Sequence, residues 1–120
     1  MPDVEMKSFK SPDEVRTFEK GKTDLLKLAT GTVGRLELQP GWKWSEHVKP
    51  IVKTEWCEQG HVGYVISGRM RVRMSDGKEY EMGPGEVGAL PPGHDAWVVG
   101  NEPYVGLDWA GSTTYAKPPA

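Results

Sequence analysis

Gly83-Pro84-Gly85-Glu86-Val87-Gly88-Ala89-Leu90-Pro91-Pro92-Gly93-His94 is a short strand held between two turns. Glycine and proline set the turn at each end, and Val87–Leu90 between them reads as a strand. The same punctuation recurs on both sides of it. Upstream, His61–Ser67 and residues 70–74 flank Ser67-Gly68, a tight hairpin connection, and Asp76-Gly77 turns residues 70–74 back into 78–82. Downstream, His94–Val99 leads through Gly100-Asn101-Glu102-Pro103 into residues 104–109. Apolar positions at Leu26, Leu28, Val33, Leu36 and Leu38 continue the pattern back across Gly31. Eight or more short strands at regular spacing predict an all-β sandwich or closed barrel.

Composition agrees. Fifteen glycines and ten prolines in 120 residues call for many turns, and the length supports one hydrophobic core but not two. Lys plus Arg (15) nearly balance Asp plus Glu (17), which excludes a nucleic-acid or anionic-membrane surface as the leading reading. The alternation of Met70, Val72 and Met74 with Arg69, Arg71 and Arg73 is a strand with one apolar and one charged face, the arginines solvated or at an interface. One cysteine, Cys57, allows no internal disulfide and fits a reducing compartment. With no apolar run of membrane-spanning length and no signal-like N-terminus, the expected location is cytoplasmic.

A helix is expected at the N-terminal end. Ser11 can cap, Pro12 suits the first helical position and Glu14 completes a capping box, with Gly21 as the stop. Residues 1–21 are thus expected to carry a short helical brace, 22–110 the barrel, and 111–120 a C-terminal tail.

The spacing of these turns resembles the cupin family of jelly-roll β-barrels, over roughly residues 31–109. Gly85, five residues, Pro91, one residue and Gly93 match the family's second motif. Gly41, five residues and His47, then His61 with six residues before Gly68, match the ends of the first. The departures fall on ligand positions. The family's second histidine is replaced by Lys49, its glutamate by His61, and its second-motif histidine by Ala96, with His94 two residues earlier on the same strand face. The insertion 50–60 separates the two halves of the first motif.

The resemblance therefore implies three imidazoles, His47, His61 and His94, around one divalent transition metal (Zn, Fe, Ni or Mn), with an open position for water or substrate. Trp42, Trp44, Lys49 and Cys57 are candidates for a substrate pocket. Cys57 can also be a softer fourth ligand, against the reading of a small buried apolar residue. Lys49 can grip an acidic ligand, against the reading of an exposed loop lysine. Asp95 points away from its neighbour His94 on a strand and is not expected to orient it. The expected function is a metal-binding cupin with a small-molecule site inside the barrel, as an oxygenase, isomerase, lyase or hydrolase; the alternative is a metal-free sensor or binding module. Val62, Tyr64 and Ile66 are expected on the outer face, and the resemblance implies a homodimer.

Overall fold

The computed structural model describes residues 3–109, so the tail 111–120 lies outside the described residues. Nine strands and two single-turn helices follow in order: β1 (Glu14–Phe18), β2 (Gly21–Leu28), β3 (Gly31–Leu38), α1 (Trp44–His47), α2 (Lys49–Val52), β4 (His61–Ser67), β5 (Arg69–Met74), β6 (Glu79–Met82), β7 (Val87–Leu90), β8 (His94–Val99) and β9 (Tyr104–Asp108). They form two antiparallel sheets, one of six strands in the order β1-β2-β3-β9-β4-β7 and one of three in the order β6-β5-β8. The expected strands from β4 to β9 are present within a residue of their predicted ends.

The N-terminal helix is not formed. Residues 14–18 are a strand, in register with β2 from Glu14 opposite Leu25 to Phe18 opposite Gly21. The open edge of β2 offers a backbone partner for each residue, and that pairing overrides the local capping signal. Val15 and Phe18 consequently face opposite ways, Val15 outward at 48% exposure and Phe18 against the core. The short helices lie instead in the connection between β3 and β4. Pro50 sits in the first turn of α2, where its missing N–H costs nothing.

Inward-facing side chains of both sheets share one core. Leu38, Val65 and Tyr104 come from the large sheet, and Val72, Ala96 and Val98 from the small one. Trp42, Trp44 and Val48 close one side of the core from the α1 region. The α1 turn is fixed to the small sheet by the buried Asp95, whose Oδ1 accepts the Ser45 N–H at 3.0 Å. On the outer face of β5, Arg71 pairs with Glu79 at 2.7 Å and Arg69 with Glu81 at 3.2 Å across to β6. The arginine stripe is thus a cross-strand charge ladder open to solvent, not an anion site.

Close approach of β4 to β9 depends on Gly63. A Cβ at that position would lie 2.6 Å from the Leu107 carbonyl oxygen. This contact brings the start of β4 beside the end of β9, and so His61 beside Asp108.

Candidate metal centre

Cys57, His61 and His94 converge from three parts of the chain, and their ligand atoms all lie within 4.8 Å of one another. His61 opens β4 and His94 opens β8, so one comes from each sheet. Cys57 belongs to the 50–60 insertion and is tied to the start of β8 by two backbone hydrogen bonds. Its N–H donates to the His94 carbonyl at 2.8 Å, and its carbonyl accepts from the Gly93 N–H at 2.7 Å. Cys57 and His94 are each 3% exposed.

Second partners fix both rings. His94 Nδ1 lies 2.8 Å from the Pro91 carbonyl, which can only accept, so Nδ1 carries the proton and Nε2 presents its lone pair. His61 Nδ1 lies 2.5 Å from Asp108 Oδ2, and the His61 Nε2 is 3.6 Å from Cys57 Sγ. An imidazole whose Nδ1–H is taken by a carboxylate or a carbonyl is the usual supporting arrangement of a metal-ligating histidine. Sulfur and nitrogen on a shared tetrahedral zinc-like ion sit about 3.5 Å apart, so the 3.6 Å spacing already suits an ion. A thiolate and two imidazoles fit a thiophilic divalent metal such as zinc or iron better than manganese, which favours oxygen ligands.

Electrostatics couple the three groups. Burial pushes the Cys57 thiol up, but the adjacent His61 and His94 rings outweigh it and hold the thiol at about 6. Burial pushes the His61 imidazole down, but its hydrogen bonds to Asp108 and Cys57, with their negative charge, raise it to about 9.

Other expected site residues are placed differently. His47 ends α1 with its Nδ1 3.0 Å from the Lys43 N–H and its Nε2 3.9 Å from Glu19 Oε2, outside the group of three. It sits on a helical turn, where the family spacing had implied a strand. Lys49 pairs with Glu55 at 3.3 Å and does not line the cavity. Trp42 and Trp44 do line it. Asp108 was not anticipated. Its one sequence signal is period two: it shares a strand face with Tyr104 and Gly106, an acidic group on an otherwise inward row.

The cavity beside these ligands offers about 60 Å³ to the centres of water molecules, enough for a few waters or one small ligand. Leu36, Leu38, Met70, Met82, Leu90 and Leu107 supply much of its apolar wall. Ala96 also lines it, on the same face of β8 as His94.

No protein-family model matches this sequence, and no curated protein matches it. Solved structures do match. A cupin-superfamily sugar phosphate isomerase from Silicibacter pomeroyi superposes with a TM-score of 0.63 at 21% identity, over 89% of this chain and 75% of its own. The fold is that of the cupins. A polyketide cyclase from Streptomyces resistomycificus matches equally well, with a TM-score of 0.63 at 19% identity over 90% of this chain and 79% of that one. An oxalate decarboxylase from Lactobacillus farciminis, as its formate complex, gives 0.61 at 20% identity over 85% of this chain. This chain spans 32% of that decarboxylase's length. At such identities the likeness carries the cupin architecture, and the ligand set must be read from this chain's own residues.

Proposed function

We propose that this cupin barrel holds one divalent transition metal on Cys57 Sγ, His61 Nε2 and His94 Nε2, and binds a small molecule in the adjoining cavity. The observation that carries the reading is the pairing of both Nδ1 atoms, with Asp108 and with Pro91, which leaves two lone-pair nitrogens beside one buried sulfur. A metal there supplies Lewis-acid polarisation of a ligand oxygen, or activation of a bound water or O₂. Asp108 holds the His61 ring in its ligating tautomer. The hydrogen bonds of Cys57 to the β8 strand keep its sulfur in place, and the leucine and methionine walls limit water. The homodimer expected from the resemblance would use the exposed Val62, Tyr64 and Ile66 of β4, and sedimentation velocity tests it.

Elemental analysis of protein purified without chelator or metal-affinity tag tests the site. Near-stoichiometric metal is expected in the unaltered protein and in His47→Ala, and a loss of most of it in Cys57→Ser and in His94→Ala. Metal that survives both of those substitutions, or disappears with His47→Ala alone, contradicts the assignment. Protein that stays metal-free after dialysis against zinc and iron would support the metal-free binding module instead.

A further inference from the structure

We infer that the cavity takes a small, uncharged, largely apolar molecule bearing one carbonyl or hydroxyl oxygen, and rejects phosphates and other dianions. The inference rests on the metal reading for the placement of its oxygen, and on the cavity walls independently of it.

Charge comes first. Asp108 Oδ2 lies 2.5 Å from His61 Nδ1, and Cys57 Sγ lies 3.6 Å from His61 Nε2, so an acidic side chain and a sulfur already flank the ring. A further acidic ligand would enter beside that acidic side chain and that sulfur. Both are enclosed, with Asp108 only 5% exposed. Among the described residues, no lysine or arginine lines the cavity. A dianion placed there would bring two uncompensated charges into an apolar enclosure, where burial of an unpaired charge is among the most costly events in a protein.

The walls point the same way. Leu36, Leu38, Met70, Met82, Leu90 and Leu107 offer apolar surface, while Nδ1 of His61 and Nδ1 of His94 are already engaged. A sugar's ring of hydroxyls would lose its water without finding matching partners. One oxygen directed to the metal, with a hydrocarbon remainder against the walls, suits this lining, in which the buried Trp42 Nε1 is a donor without a partner among the described residues. The small volume limits that remainder to a few carbons, unless the methionines yield, which their unbranched side chains allow.

A homologous series of 2-ketones, butan-2-one to octan-2-one, tests this against inorganic phosphate and glucose 6-phosphate. Binding is read twice: from the visible bands of the cobalt(II)-loaded protein, and from tryptophan fluorescence of the chelated protein, since Trp42 and Trp44 line the cavity. Affinity is expected to tighten about fourfold per added methylene until the cavity is full, in both forms and more strongly in the metal form. Neither phosphate should give saturable binding in the same range. Met82→Ala should lengthen the longest ketone that still gains affinity.

A flat chain-length dependence, phosphate binding tighter than the ketones, or an unchanged length limit in Met82→Ala would overturn the ligand class. Those results would leave the metal assignment untouched. Conversely, a ketone slope retained in fluorescence by a protein that takes up no cobalt would support the ligand class and remove the metal reading.

Discussion

At the scale of single residues, Asp108 and Tyr104 carry separable predictions. Asp108 supports His61 without being placed among the ligands, and loss of such a partner typically weakens metal binding about 10–100-fold. Asp108→Asn is expected to do this in a chelator competition, while the metal remains lost outright in Cys57→Ser. Equal affinity in Asp108→Asn and unaltered protein would show that His61 does not depend on it. Tyr104 is pushed up to about 12, by burial first and by the Asp108 charge second. An unfolded tyrosine ionises near 10, so the unfolded chain releases this proton first as pH rises. The Tyr104 contribution to stability is thus intact below pH 10 and declines as pH climbs from about 10 to about 12. In urea unfolding, Tyr104→Phe is expected to lose that part of the alkaline decline. An identical decline in the two proteins would contradict it.

At the scale of elements, the approach of β4 to β9 is what assembles the His61–Asp108 pair. Gly63→Val would drive side-chain carbons into the Leu107 carbonyl, with an expected cost of about 1–3 kcal/mol. The urea midpoint should fall and metal affinity with it, whereas a midpoint within error of the unaltered protein would mean the strands separate freely. Legibility also divides at this scale. Strands β4 to β9 could be read because glycine and proline bracket each one, and because the alternation on β5 shows which face is inward. Strand β1 could not, since Ser11, Pro12 and Glu14 imitate a helix start and only the distant edge of β2 contradicts them. Cys57 was legible as a candidate but not as His94's neighbour, because an isolated bridge between residues 57 and 94 leaves no local pattern. For His47 the family spacing is preserved, yet an intervening helical turn sends its ring toward Lys43 and Glu19.

At the scale of the whole molecule, the proposed centre ties the two sheets together. His61 belongs to the six-stranded sheet and His94 to the three-stranded one, while Cys57 is anchored to the latter by backbone hydrogen bonds. An ion held by all three binds the native state and not the unfolded chain. It should stabilise by about 2.7 kcal/mol when free metal exceeds its dissociation constant a hundredfold. For a 120-residue domain this is an upward shift in Tm on the order of 10 °C. A Tm indifferent to zinc would argue against an ion between the sheets. No described helix is long and apolar enough to cross a membrane.

The most direct test is a cobalt(II) titration of the chelated protein, read in the near-ultraviolet for sulfur-to-metal charge transfer and in the visible for coordination number. A band that saturates at one equivalent, with intense visible absorption of a four-coordinate ion, is expected in the unaltered protein and in His47→Ala. The charge-transfer band should vanish in Cys57→Ser. Saturation without any sulfur band, or an unchanged band in Cys57→Ser, would contradict a centre built on Cys57, His61 and His94.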